Sequence, residues 1–205
     1  VTRSYRLLFT ALCCLLFAAC SSTPPTPTLS ASQQAANWKN YQKNADSLTD
    51  WTLRGKLALI TPDQKGSLNL FWQNRDTNYK MVLSDFFGRT ILTLQKINDE
   101  FYLTDNRNHH YQTSEPEALI YNLTGLMIPL QALPSWVKGV PLPQQQKVIK
   151  GPQGLPATFV QGSWQADFQE FMQKGKVQLP QKLKIQEHQE KLTLKLAIYD
   201  WSLHA

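Results

Sequence analysis

Cysteine is missing from almost the entire chain. The three present, Cys13, Cys14 and Cys20, all fall within the first twenty residues, so no intrachain disulfide is available to the rest of the sequence. Histidine is nearly as scarce. Four occur, His109, His110, His188 and His204; none has the spacing of a zinc-binding helix, and the His109-His110 pair falls in a polar turn, Asp105 to His110. No metal is expected. A Gly-x-Ser-x-Gly nucleophile elbow and a Gly-rich Lys-Ser/Thr phosphate loop are both absent. Neither serine-hydrolase chemistry nor work driven by ATP is therefore encoded, and the chain reads as a non-enzyme without cofactors.

Clustered charge of one sign is also missing. The formal net charge is +6. Setting aside Arg3 and Arg6 leaves 19 basic against 15 acidic residues, a net +4. Lys182, Lys184, Lys191 and Lys195 are spaced like the wet face of strands rather than gathered into a nucleic-acid footprint, and no nucleic-acid partner is expected.

The first twenty residues have the layout of a processed leader. Arg3 and Arg6 form a basic n-region, and Leu7 to Ala19 is an apolar run too short to span a bilayer. Ala18 and Ala19 supply the small residues before a cleavage site, and Cys20 follows directly. This is the arrangement of a bacterial lipoprotein, in which the cysteine thiol takes a diacylglycerol, although Phe17 stands where such sequences usually have Leu. A plain secretory peptide with an incidental cysteine is the competing reading. Lipidation, however, would also dispose of an odd thiol in an oxidising compartment. Ser21 to Ser32, with Pro24, Pro25 and Pro27, cannot pack and reads as an extended tether. Under the general sorting rule, Ser21 rather than Asp after the lipidated residue favours the outer membrane. The expected division is a leader over 1–19, a lipidated Cys and tether over 20–32, and one domain over 33–205, anchored by lipid on the periplasmic face of the outer membrane.

Within the domain the apolar pattern has a period of two. Leu53, Gly55, Leu57 and Leu59 alternate with Arg54, Lys56 and Ala58; Leu68, Leu70 and Trp72 alternate with polar neighbours; Leu192, Leu194, Leu196 and Ile198 do the same. Weaker strand patterns span 79–83, 90–94, 101–104, 157–161, 163–168 and 182–186. Helices are predicted over Ala31 to Asp50, over Glu115 to Leu123 after a Ser114 cap with Pro116 in the first turn, and around Leu133 to Lys138. One apolar and one wet face on long antiparallel strands, with few helices, predicts a mainly β fold: a strongly curved sheet or barrel partly closed by helices.

Four stretches give the chain a family likeness. Trp51, Arg54 and Gly55 open the first strand, and Phe71-Trp72-Gln73 closes the second. Ile128-Pro129-Leu130, Leu133, Trp136, Gly139 and Pro141 form a spaced motif. Leu179-Pro180, Leu183, Ile185, Leu192, Leu194, Leu196, Ile198 and Trp201 form a C-terminal hairpin. In order and spacing these resemble the LolB family of outer-membrane lipoproteins, from which Pro134 inside the lid segment departs. The resemblance implies an unclosed antiparallel β-barrel with an α-helical lid over a hydrophobic cavity. It implies as partners a LolA-like periplasmic carrier, acylated lipoprotein cargo and outer-membrane phospholipid, and it implies transfer without ATP by a monomer.

Ser84-Asp85-Phe86-Phe87-Gly88-Arg89 reads as a hairpin loop, Asp85 and Gly88 being turn residues, with Phe86 and Phe87 at its tip. The resemblance assigns this loop to membrane insertion of cargo and places Phe87 where the family usually has Leu. Acyl chains require an uncollapsed apolar hollow. Its candidate lining is Leu57, Leu70, Trp72, Met81, Leu83, Leu92, Leu94 and Leu196 from the sheet, with Leu119, Leu123, Met127, Ile128 and Trp136 from the lid. A stripe at strand spacing equally describes plain core. A scaffolding lipoprotein of an envelope assembly machine, whose Phe loop docks a partner, is the alternative function; a lipid-binding enzyme is a third, opposed by the missing acid/base sets.

Overall fold

The computed structural model describes residues 29–143, 146–189 and 191–204. Cys20 and the leader lie outside the described residues. Helix α1 (Ala31–Asp46) opens at Ser30 with a reciprocal capping box to Gln33, which satisfies two end groups of the helix at once. It thus starts inside the stretch read as tether. It also stops four residues before the predicted Asp50, because Asp50 pairs with Arg75 as the first residue of β1 and Ser47 closes the helix, its hydroxyl donating to the Asn44 carbonyl at 2.8 Å.

Eleven strands follow: β1 (Asp50–Ile60), β2 (Lys65–Arg75), β3 (Asn78–Ser84), β4 (Thr90–Ile97), β5 (Glu100–Asp105), β6 (His110–Thr113), β7 (Gln146–Lys150), β8 (Pro156–Gln161), β9 (Trp164–Lys174), β10 (Val177–Glu187) and β11 (Leu192–Leu203). All belong to one sheet in the order β6-β5-β4-β3-β2-β1-β11-β10-β9-β8-β7. The first and last strands meet at its centre. The terminal strands β6 and β7 do not pair with each other, so the barrel stays open, as expected. Between them run helices α2 (Pro116–Thr124) and α3 (Leu133–Trp136). The cap expected of Ser114 is not made. Glu115 occupies the N-cap place without a side-chain bond, because the Thr113 hydroxyl already accepts the Glu115 amide at 2.9 Å. Pro116, with no N–H to satisfy, makes a cap less necessary. Pro134 likewise falls in the first turn of α3, where it costs the helix nothing.

Bulges bend the long strands. At Gly55 the β1–β11 register shifts, and a Cβ there would collide with the Ala197 carbonyl oxygen. Pro180, which cannot donate to a ladder, sits at a bulge of β10, and its carbonyl accepts the Trp201 indole N–H at 2.9 Å.

The apolar side chains of the inner face make one core. At the end of the sheet where β1 begins, aromatic rings fill it: Trp51 meets Trp72 and Trp201 edge to face, each at 5.2 Å between centroids, and Tyr79 and Phe101 continue the row. A second cluster holds α1 down. Tyr41 and Ala45 pack with Val140, and the Tyr41 hydroxyl donates to the Lys138 carbonyl at 2.6 Å.

Candidate functional site

Burial along β1, β3 and β4 declines in one direction. Leu53 is buried but Leu57 and Leu59 are only half-buried; the same step separates Met81 from Leu83 and Leu94 from Leu92. All of these steps run toward the end that holds the β1–β2, β3–β4, β5–β6 and β10–β11 turns. At that end the aromatic filling gives out, and a cavity of about 370 Å³ remains between the sheet and the lid segment. That lies within the range of small-molecule sites, roughly 300–1,000 Å³.

Ten of the thirteen sequence candidates lie on its wall. From the sheet these are Leu57, Leu70, Trp72, Met81, Leu83, Leu92, Leu94 and Leu196, and from the lid segment Leu123 and Ile128. Three lie elsewhere. Leu119 packs against the core from another side of α2, whose Ile120 points inward instead; Met127 is exposed and off the wall. Trp136 is almost wholly buried in the core, its ring 5.8 Å from both Phe159 and Trp164. Its indole N–H donates to Gln161 Oε1 at 3.0 Å, the same atom that accepts the Leu142 amide. Trp136 therefore anchors the lid segment rather than touching the cavity. Trp136→Ala and Trp164→Ala are consequently expected to lose comparable stability, about 3–5 kcal/mol each, measurable by urea unfolding; a selective loss of acyl binding in the Trp136 variant would contradict this placement.

Sequence reasoning missed several wall residues. Leu59, Ile185 and Leu194 continue the alternation of Leu57 and Leu196, so the period of two could have found them. Tyr111 lies on β6, a four-residue strand too short and too polar to show a period.

The wall is apolar almost throughout. Its acidic member, Asp105, is engaged by the Arg107 and His109 amides and by His109 Nδ1; the Thr124 hydroxyl is turned back to donate to the Ile120 carbonyl at 2.7 Å. Neither side chain is left to hold a polar ligand.

Beyond the mouth stands the β3–β4 loop. Phe86 and Phe87 are 85% and 80% exposed, against the near-complete burial usual for large aromatics in a core. The loop under them is rigid. Asp85 Oδ1 accepts the Phe87 and Arg89 amides at 2.9 Å each, Oδ2 accepts Arg89 Nε at 2.7 Å, and Gly88 takes a φ of 82°. Desolvation raises the Asp85 carboxyl, but the Arg89 and Phe87 hydrogen bonds and the guanidinium charge outweigh it and hold the group below the usual carboxylate range. The two rings are thus presented to solvent by a clamp that does not use them.

An open antiparallel barrel with a helical cover and an apolar hollow defines a protein built to hold hydrophobic ligands. Residues 49–201 match the family described as Outer membrane lipoprotein LolB. The outer-membrane lipoprotein LolB of Aeromonas salmonicida is 35% identical over 196 residues, 96% of each chain, and that of Vibrio cholerae is 31% identical over 197 residues, 92% of each chain. The chain belongs to the LolB family. Among solved structures, a LolA superfamily protein from Nitrosomonas europaea superposes at a TM-score of 0.54 over 84% of this chain and 94% of its own, with 8% identity. A DUF1329 family protein from Desulfovibrio piger does so at 0.57 over 84% and 94%, with 6% identity. At such identities the likeness is one of fold.

Proposed function

We infer that this protein is an outer-membrane lipoprotein that receives other lipoproteins, taking their acyl chains into its cavity from a LolA-like carrier and passing them to the membrane. The observation that carries this reading is a cavity whose wall is apolar almost throughout, opening at the end that bears two exposed phenylalanines. Burial of methylenes contributes roughly 0.8 kcal/mol each, so a chain of a dozen would cost about 10 kcal/mol to release into water. A free intermediate is excluded on that scale, and transfer must run mouth to mouth. Without an energy source each step must also run downhill, which requires affinity to rise from carrier to acceptor to bilayer. The direct test is uptake of a fluorescent fatty-acyl probe and of a lipidated protein by the domain. Saturable uptake of both supports the reading; a scaffolding lipoprotein takes up neither.

The anchor follows from the leader. Cys20 carries the lipid, residues up to 19 are removed, and the Ser/Thr/Pro-rich stretch lets a single monomeric domain reach both the carrier and the inner leaflet. Among the described residues no helix is long and apolar enough to cross a membrane, and the whole sheet lies beyond residue 49. Cys20→Ala, exported behind a leader cut by an ordinary signal peptidase, is therefore expected to move from the membrane to the soluble periplasmic fraction with its melting temperature unchanged. Retention on membranes after such cleavage would refute the anchor.

A further inference from the structure

The β5–β6 turn repeats the construction of the Phe loop bond for bond. Asp105 Oδ1 accepts the amides of Arg107 and His109, and its Oδ2 accepts His109 Nδ1 at 2.8 Å, as Asp85 does with Phe87, Arg89 and Arg89 Nε. In both turns the amide of the fourth residue donates to the carbonyl of the first at 3.1 Å, and the amide of the first donates to the carbonyl of the fifth. Gly88 and Asn108 both take a positive φ, 82° and 63°. Superposing the two turns on these bonds puts Arg107 at the place of Phe87.

Their heights differ in a useful way. Leu83, Leu92 and Asp105 lie at one level across β3, β4 and β5. Asp85 stands two residues beyond Leu83, and at about 3.4 Å per residue the Phe tip projects about 7 Å further than the Arg107 tip. An apolar group that enters a bilayer sits about 5–10 Å into the boundary between headgroups and acyl chains. With Phe86 and Phe87 at that depth, Arg107 is level with the phosphates. Arg107 is exposed and its guanidinium forms no ion pair among the described residues, whereas Arg89, on the deeper turn, is committed to Asp85. Of these two tips, the shallower carries the cation without an ion pair among the described residues.

We propose that the Asp105–His109 turn is a second membrane contact, in which Arg107 binds the phosphate of anionic phospholipid headgroups while the phenylalanine tip enters the apolar layer. This rests on the reading of the Phe loop as a membrane contact and extends it to a headgroup preference.

The test uses the chain from Ser21 onward, which keeps every strand and both core clusters, so that binding is not masked by the lipid anchor. Co-sedimentation is measured with vesicles of phosphatidylcholine alone and with about one-third phosphatidylglycerol. A basic residue near an anionic surface contributes about 1 kcal/mol, or roughly fivefold. Arg107→Gln is expected to lower partitioning into the anionic vesicles about fivefold, and Arg107→Glu to lower it further. Arg107→Lys should retain it, and none of the three should change binding to phosphatidylcholine. High salt should erase the difference. Unchanged binding of Arg107→Gln and Arg107→Glu to anionic vesicles overturns the proposal. So does a loss of cargo uptake from the carrier in vesicle-free solution with vesicle binding intact, which would assign Arg107 to an acidic protein partner. Phe87→Glu separates the two readings. It should weaken binding to both vesicle types; if it does and Arg107 variants do not, the Phe loop stands and the headgroup contact falls, whereas the reverse result leaves the Arg107 contact and removes the Phe loop.

Discussion

Leu83→Glu is expected to abolish acyl-chain uptake, by about 100-fold or more, in a domain that still folds. Leu83 is only half-buried and lies on the cavity wall near the mouth. In the empty protein an introduced carboxylate can extend toward water, as long charged side chains do, so the fold should lose no more than about 1–2 kcal/mol. An acyl chain entering the cavity would strip that water away. Burying an unpaired carboxylate costs several kcal/mol, and no Lys, Arg or His lies on the wall to pair with it, while Asp105 would repel it. Leu83→Met, similar in volume and apolar, should bind nearly as well as the parent. Titration with a fluorescent acyl probe, beside a thermal melt, reads both quantities. Normal uptake by a folded Leu83→Glu domain would show that the cavity does not hold the chain.

The sheet was legible because its long central strands bury one face and wet the other, which leaves a period of two in Leu53 to Leu59 and in Leu192 to Ile198. The edge strands were not. His110–Thr113 and Gln146–Lys150 are short and rich in polar residues, as exposed edges must be, and so carry no alternation. The cavity was legible for the same reason as the sheet, since a wall residue on a strand shares the parity of the core. What period cannot show is where along a strand filling ends and hollow begins. That boundary is set by the bulky Trp51, Trp72, Trp201, Tyr79 and Phe101 meeting from five strands at one end, a long-range fact of register.

The lid segment was read least well. Sequence motif alone put Trp136 over the cavity, but a helix of four residues has too little length to define a face, and the position of its tryptophan was decided by Gln161 on β8 and by the rings of Phe159 and Trp164. The Phe loop was the opposite case. Asp85 and Gly88 are turn residues for local reasons, so the exposure of the two residues between them followed without knowledge of the rest of the fold.

That local rigidity is what allows receiving and delivering to be separated. Asp85 holds the loop through the backbone amides of Phe87 and Arg89 and through the Arg89 side chain, and the Phe87 ring contributes only contacts with its exposed neighbours, Phe86 at 5.6 Å and the Arg89 guanidinium at 5.7 Å. Phe87→Glu removes neither the clamp nor any core packing, so the change in stability should stay below about 0.5 kcal/mol, as at an ordinary surface site. Acyl uptake should be unaltered, because Phe87 is not on the cavity wall. Delivery should fail. Burying the parent ring in lipid is worth about 1.5–3 kcal/mol, whereas an acidic residue at the same tip is repelled by anionic headgroups and costly to dehydrate. In a reconstituted transfer the mutant is expected to take a lipidated protein from the carrier and keep it, with liposome insertion reduced by two orders of magnitude or about that. Phe87→Leu, still apolar, should restore insertion without changing uptake. Insertion at the parental rate by the Phe87→Glu domain, or its loss together with uptake, would remove the loop from the delivery step.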